Sequence, residues 1–164
     1  ANSPKSLDNI EVMNVKTEKQ LSKITTIEKL KTYIKNFKGC PLHKEATNAV
    51  FSDGNQNSKI MLIGEAPGHD EDIEGKPFVG RSGKLLDKML NAINLDRDKV
   101  YSANIIPWRP PANRKPTEEE INVCLPLINK HIELINQKVL LLLGSKSTEA
   151  LLKDKTPITK IRGK

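Results

Sequence analysis

The sequence has few cysteines and few aromatic residues, and no long run of apolar residues. Its two cysteines, Cys40 and Cys124, lie far apart, which argues against a disulfide-stapled secreted scaffold and suits a reducing compartment. No apolar run reaches the roughly 18 residues that a transmembrane helix needs. The polar segment Ala1–Asn9 lacks the apolar centre of a secretory signal. These absences predict a cytoplasmic protein that has no membrane partner.

Positive charge is in excess. The 164 residues include 27 basic and 20 acidic side chains, which gives a net charge of +7. A basic surface favours polyanions such as nucleic acid, although lysine-rich proteins are common and charge alone does not decide the matter. The length fits one domain with a real core, and a monomer is the default expectation.

Short apolar runs alternate with amphipathic segments along the chain. The runs predict three buried strands, at Ile60–Ile63, Val100–Ile106 and Val139–Leu143. Helices are predicted over Leu21–Phe37, from Ser82 to Ile93, from Thr117 to about Asn136, and over Ser147–Leu152. The alternation predicts an α/β fold, with three α/β/α layers and a central parallel sheet. Residues 1–20 are predicted to be a flexible segment, and residues 21–164 to be a single domain.

Details of the helices can also be predicted. Ser82 is a plausible N-cap, and Thr117 with Glu120 forms the pattern of a capping box. One buried face of the second helix is predicted to carry Leu85, Leu86, Met89, Leu90 and Ile93. His131 is expected on the surface of the third helix.

Ligands of parallel sheets bind beyond the carboxyl ends of the strands. That rule brings together the loop Glu65–Arg81, the loop Pro107–Pro116 and the turn after Leu143. The first loop has four acids within eight residues, Glu65, Asp70, Glu71 and Asp72. Acids next to nucleic acid need a use, such as positioning water, stabilising positive charge or holding a metal. A solvated acidic turn is the alternative.

The other segments carry an aromatic ring, an amide and cations. Phe78 lies in a glycine-rich loop, where its ring could stack on a base or simply plug the loop to the core. Asn104 is a polar residue in an apolar strand, and its amide could pair with uracil O4 and N3–H or be satisfied by backbone. Five cations and one hydroxyl are predicted to lie near the phosphates of a nucleic acid: Arg81, Ser82, Lys84, Arg109, Arg114 and Lys115.

Three ordered motifs carry a family resemblance. They are Gly-Glu-Ala-Pro-Gly-x-x-Glu-Asp from Gly64, Pro-Phe-Val-Gly-Arg-Ser-Gly from Pro77, and Asn-x-x-x-x-Arg-Pro-Pro-x-Asn-Arg-x-Pro-Thr from Asn104. Together they resemble the family 4 uracil-DNA glycosylases, some of which have been labelled phage-type DNA-polymerase-related. The resemblance covers about Phe37 to the C-terminus.

The resemblance implies roles for individual residues. Glu65, Glu71 and Asn104 are implied to be catalytic, with Glu71 positioning or activating water and Asn104 reading uracil. Phe78 is implied to stack on the base. The remaining substrate-binding positions implied by the first motif are Gly64, Ala66, Pro67 and Gly68. The activity implied is DNA repair, in which uracil is flipped out of DNA and its N-glycosidic bond is hydrolysed to leave an abasic site.

Two departures from the family pattern qualify that expectation. The family usually binds a 4Fe-4S cluster through four cysteines, and only Cys40 and Cys124 match; Phe37 and Trp108 stand at the other two positions. Neither Phe nor Trp can bind iron, so we predict no conventional cluster, no metal and no cofactor required for the chemistry. The family's later His-containing motif and its last strand are also absent, so the chain is expected to be C-terminally truncated.

Two alternatives to the glycosylase remain open at this point. The first is a metal-dependent nuclease or phosphotransferase that uses Asp70, Glu71 and Asp72 as magnesium ligands. The second is a catalytically degenerate chain that still binds DNA.

Overall fold

A computed structural model describes residues 4–163, with side chains from residue 7 onwards. Its four-stranded sheet has the order β1-β3-β2-β4. The strands are β1 (Asp53–Gly54), β2 (Ile60–Gly64), β3 (Tyr101–Asn104) and β4 (Val139–Leu142). The three predicted strands are therefore confirmed, and they are parallel to one another. The predicted central parallel sheet has an additional antiparallel edge, because the two-residue strand β1 runs antiparallel to β3.

Helices lie on both faces of this sheet. They are α1 (Pro4–Leu21), α2 (Ile27–Asn36), α3 (His69–Glu74), α4 (Arg81–Ala92), α5 (Glu118–Ile135), α6 (Ser145–Leu152) and α7 (Ile158–Ile161). A large core cluster joins one sheet face to α1, α2 and α5, and it includes Met61 and Ile63 of β2. A smaller cluster joins the other face, through Leu62 of β2, to Leu86 and Leu90 of α4. This arrangement confirms the α/β fold.

The N-terminal region differs from the prediction. In place of a flexible segment over residues 1–20, Pro4–Leu21 forms a helix that packs against α5. The predicted helix over Leu21–Phe37 is split, because α1 ends at Leu21 and α2 begins after Thr26, whose hydroxyl accepts a hydrogen bond from the amide of Lys29. Residues 1–3 and Lys164 lie outside the described part of the chain.

Local sequence signals explain the start of α5 but not that of α4. Thr117 and Glu120 form the predicted capping box at the start of α5. Helix α4 begins at Arg81, before the predicted cap Ser82, because Gly80 is its N-cap residue. No helix in residues 4–163 is long and apolar enough to cross a membrane.

The buried face of α4 is narrower than predicted. Leu86 and Leu90 are buried, whereas Leu85, Met89 and Ile93 are about 60% exposed. A helix lying on one face of a sheet buries a stripe, and side chains at the stripe's edge stay open to solvent. Two of these exposed residues, Leu85 and Met89, line the cavity at the carboxyl end of the strands.

Candidate active site

The loops after β2 and β3 meet at the carboxyl ends of the strands around a cavity of about 310 Å³. Its lining includes four residues singled out from the sequence as catalytic or stacking groups, Glu65, Glu71, Phe78 and Asn104. The other lining residues are Gly64, Ala66, Ser82, Leu85, Leu86, Met89 and Leu143. The cavity is therefore mostly apolar and holds a few polar groups, as small-molecule sites commonly do.

Asn104 ends strand β3 with its side chain in this cavity. The residue is only 8% exposed, and no group among residues 4–163 forms a hydrogen bond with its side-chain amide. The polar atoms of this amide are open to the cavity and are not among the fully buried atoms that lack a partner, so they are free to pair with a ligand there. The alternative, in which neighbouring backbone groups form hydrogen bonds with the Asn104 side chain, is therefore wrong for the described residues.

The end of β2 brings Asn104 close to Phe78. Gly64 is the register partner of Asn104, and a Cβ built on Gly64 would lie 2.5 Å from Asn104 Oδ1 and 2.8 Å from Phe78 Cζ. Only glycine leaves room for both groups at this point. The ring of Phe78 is half-buried and lines the cavity, so it does more than plug the loop to the core.

Glu71 lies where the cavity opens into a neighbouring groove of about 790 Å³ and lines both. Gly68 and Gly80 flank its carboxylate: a Cβ on Gly68 would lie 3.6 Å from Glu71 Oε2, and one on Gly80 would lie 3.3 Å from the same atom. Gly80 is also the N-cap residue of α4, so the Glu71 carboxylate lies at the positive end of that helix.

The groove beside the cavity carries positive charge. Arg81, Ser82 and Lys84, which the sequence predicts, line it together with Lys88, which the sequence analysis missed. The remaining lining residues are Gly68, His69, Asp70, Glu71, Gly80, Leu85 and Asn113. Lys88 follows Lys84 by one helical turn, so the spacing of lysines on α4 is the signal that could have found it.

Other predicted site residues lie outside the cavity and the groove. Pro67 is buried beside them and lines neither. Arg109 donates a hydrogen bond to Asn113 Oδ1 at 2.7 Å. Arg114 forms a two-pronged ion pair with Glu120, at 3.0 and 2.7 Å, and this contact lowers the pKa of the Glu120 carboxyl.

The predicted cations of the proline-rich loop are thus separate from those of the groove. The ion pair with Glu120 ties Arg114 to the start of α5. Lys115 is exposed, and it lines neither the cavity nor the groove. The structure therefore brings together the cations of α4, whereas Arg109 reaches the groove through its contact with Asn113, and Arg114 and Lys115 lie to one side.

Sequence comparison agrees with this geometry. The family described as the Uracil DNA glycosylase superfamily matches residues 51–163, more than two thirds of the chain. The chain belongs to the uracil-DNA glycosylase superfamily. The predicted family resemblance is confirmed.

Several curated relatives of this superfamily are similar over most of the chain. The type-4 uracil-DNA glycosylase of Saccharolobus solfataricus is 47% identical over 130 residues, which is 76% of this chain and 60% of that protein. The corresponding protein of Sulfurisphaera tokodaii is 42% identical over 85% of this chain and 66% of its own length. That of Thermotoga maritima is 41% identical over 79% of this chain and 68% of its own length. The chain therefore spans about two thirds of the length of these relatives.

Members of this family usually bind a 4Fe-4S cluster through four cysteines, and this chain has cysteine at two of those positions, Cys40 and Cys124. The two cysteines and the two aromatic residues at the family's cysteine positions lie in one buried region. The rings of Phe37 and Trp108 stack with centroids 6.1 Å apart, and His43 links Trp108 to the carbonyl of Cys40. The interaction between the two thiols lowers the pKa of Cys40, and together with burial it raises the pKa of Cys124.

These residues do not fit a conventional 4Fe-4S cluster. Two thiols are present where four ligands are needed, and the two stacked rings supply no atom that binds iron. The aromatic pair and the two thiols instead belong to the large apolar core or pack against it.

The acidic run after Gly68 divides into two parts. Asp72 is 4% exposed, and its carboxylate accepts hydrogen bonds from the backbone amides of Thr47 and Asn48 at 3.2 and 2.9 Å. Asp70 and Glu71 face the groove instead. Because Asp72 faces away from them, the three acids do not converge on one magnesium ion.

His131 corrects another expectation, since it is buried and not at the surface. It is 2% exposed, its Nε2 is hydrogen-bonded to the hydroxyl of Tyr101 at 2.6 Å, and it stacks on Phe51 with centroids 4.5 Å apart. Burial lowers the pKa of His131 to about 3 and raises that of Tyr101 to about 12. Both groups are therefore neutral near pH 7, and they hold α5 against β3.

Proposed function

We propose that the chain releases uracil from DNA by hydrolysing its N-glycosidic bond. The observation that carries the proposal is the side-chain amide of Asn104, which is more than nine-tenths buried, has no partner among the described residues and points into the cavity. The names of the type-4 relatives support the same activity.

The amide explains selection of the base. Its NH₂ group can donate to uracil O4 and its oxygen can accept from N3–H, whereas cytosine presents the reverse pattern and is refused. Phe78 supplies an aromatic surface on which the flipped base stacks. The base must leave the duplex, because a cavity of about 310 Å³ admits no double helix.

The carboxylates serve the bond-breaking step. As the bond from C1′ to N1 breaks, positive charge develops on the sugar, and the Glu71 carboxylate stabilises it. The electrons of that bond leave with uracil N1. Water then adds its oxygen to C1′, and the proton that it loses passes to the carboxylate and from there, through solvent, to the released uracil anion. Glu65 lines the same cavity and shapes its floor next to Gly64.

The groove beside the cavity holds the DNA backbone in this proposal. Arg81, Lys84 and Lys88 supply positive charge along α4, and Ser82 lies in the first turn of the helix, where backbone amides point outward. These contacts position the strand without reading its sequence. Arg109, Arg114 and Lys115 stay predictions as further backbone contacts, as do a monomeric state and a cytoplasmic location.

The experiment uses an oligonucleotide that contains a single uracil. Incubation with the chain followed by alkali should cut the strand at the uracil, and incubation without alkali should leave it intact. EDTA should change nothing, and the same oligonucleotide with cytosine should stay uncut. Cleavage without alkali that EDTA abolishes would favour the nuclease, and binding without base release would favour the degenerate chain.

We further propose that this chemistry needs no iron-sulfur cluster. Iron and acid-labile sulfide measured on the purified chain should fall far below four atoms of each per molecule. The double variant Cys40→Ala/Cys124→Ala should retain uracil release. Four irons per chain, lost in that variant together with activity, would contradict the proposal.

A further inference from the structure

Arg97, which lies in a short 3₁₀ turn (Arg97–Lys99) between the second and third motifs, contacts the loop that carries Phe78. Its guanidinium donates hydrogen bonds to three carbonyl oxygens of the loop and of α4, those of Pro77, Phe78 and Gly83. Its Nε is paired with Asp87 of α4 at 2.6 Å. One side chain therefore ties the loop to the helix that borders the cavity.

The same guanidinium lies over the ring of Phe78, with its central carbon 5.7 Å from the ring centroid. A cation over an aromatic ring is attracted by it, and the interaction is stronger where water is partly excluded. The Arg97 side chain is 19% exposed, which meets that condition. The same residue, Phe78, lines the cavity, so Arg97 contacts the ring on which the base is proposed to stack.

The backbone of Phe78 needs such a restraint. Its φ is +56°, in the left-handed region that bulky residues rarely adopt. Conformations of this kind persist only where the surroundings hold them. Gly83 lets the loop approach α4 this closely, because a Cβ at that position would overlap the carbonyl of Phe78.

We propose that Arg97 is a positioning residue for base excision, and that it acts by fixing the ring of Phe78 against the cavity. It is not a catalytic residue, since it does not line the cavity. The inference rests on the proposed function, but the contacts that carry it are independent of the catalytic groups. In this proposal Asp87 orients the guanidinium through its ion pair with Arg97 Nε.

The first measurement is amide hydrogen exchange, which does not depend on activity. Arg97→Ala should accelerate exchange in the segment 78–84. Lys99→Ala is the matched control, because Lys99 belongs to the same 3₁₀ turn, has an exposed side chain and pairs only weakly with Asp96, at 3.9 Å. The control should leave exchange in that segment unchanged.

The second measurement is the single-turnover rate of uracil release. Arg97→Ala should slow it by between about 10-fold and 100-fold, the effect of a displaced binding group, and Arg97→Lys should recover part of the loss. In a Phe78→Ala background, removal of Arg97 should slow the reaction by less than about threefold, because the two residues act as a unit. Lys99→Ala should match the wild type.

Unchanged exchange in Arg97→Ala would overturn the inference, and so would a full additional loss of rate in the Phe78→Ala background. If the wild-type chain releases no uracil but Arg97→Ala accelerates exchange, the proposed function is overturned. The proposal that Arg97 holds the loop is then still supported. If Arg97→Ala does not fold, as judged by circular dichroism, Arg97→Lys decides: wild-type exchange and rate in that variant would overturn the inference.

Discussion

The side-chain oxygen of Asn104 and the ring of Phe78 converge on the α-carbon of Gly64, where no side chain could fit between them. The register of the sheet is the cause, since Gly64 and Asn104 are direct partners on adjacent parallel strands. The loop that carries Phe78 then folds back over the end of β2. The amide and the ring that are proposed to read and stack on the base are thus placed by strand pairing and by one missing side chain.

A graded series of glycine-to-alanine variants should test this arrangement. Gly64→Ala should lower uracil release most, by about 100-fold or more, because its methyl group would displace both Asn104 and Phe78. Gly80→Ala should have an intermediate effect, since its Cβ would lie 3.2 Å from Asp70 and 3.3 Å from Glu71. Gly68→Ala should have the smallest effect, because 3.6 Å to Glu71 is an ordinary contact.

The measurement is the single-turnover rate of each folded variant on a uracil oligonucleotide, with thermal unfolding as the check on folding. The order of the three rates is the prediction. A Gly64→Ala variant that is as fast as Gly68→Ala would show that Asn104 and Phe78 do not share one tight site.

Replacement of Asn104 by Asp should weaken the choice of uracil over cytosine. A carboxylate keeps the shape of the amide but cannot donate to uracil O4, so uracil release should fall by about 100-fold or more. The same carboxylate can accept from the amino group of cytosine, so the ratio of uracil to cytosine release should fall as well. Asn104→Ala is the control that removes the amide without adding charge. If Asn104→Asp leaves uracil release untouched, Asn104 does not read the base.

The strands could be predicted from the sequence because a short apolar run that ends at a glycine is typical of a buried strand. Glu71, Phe78 and Asn104 could be predicted as neighbours because loops after parallel strands meet at one sheet edge. Arg97 and β1 could not, since the Arg97 contacts to backbone carbonyls leave no pattern in the sequence and a two-residue strand has no periodicity.

Burial of polar residues was the harder part to predict. His131 was misplaced because a polar residue is expected at the surface until its buried partner, Tyr101, is known. Helix α1 was missed for a related reason: its polar sequence hides a stripe that packs on α5. In both cases the deciding contact joins residues that are distant in the chain.

Asp72 should matter for stability and not for metal binding. Asp72→Ala leaves the amides of Thr47 and Asn48 without their acceptor, which should lower the free energy of unfolding by about 2–4 kcal/mol. Asp72→Asn keeps one acceptor oxygen and should lose less. Urea unfolding measures both variants, and uracil release per folded molecule should stay within about twofold of the wild type with or without EDTA. Loss of activity that added magnesium restores would contradict this role of Asp72.

The buried pair of His131 and Tyr101 should make the fold sensitive to mild acid. Burial lowers the pKa of His131 from 6.5 to about 3, so between these values the unfolded chain binds a proton that the folded chain refuses. The free energy of unfolding should therefore fall as the pH falls below 6.5, by up to about 1.4 kcal/mol per pH unit. Carboxyls such as Glu120, whose pKa is lowered in the fold, add to the loss only nearer pH 4.

The pH range 5 to 6.5 isolates the contribution of His131, and urea unfolding at several values in that range measures it. His131→Gln is the matched variant, because an amide can still pair with the Tyr101 hydroxyl but does not titrate. It should be less stable than the wild type at pH 7, since it loses the stacking on Phe51, yet its stability should be nearly flat from pH 6.5 to 5. If the free energy of unfolding falls equally steeply in both proteins, the titrating group is not His131. His131 would then be protonated in the folded chain without a loss of stability.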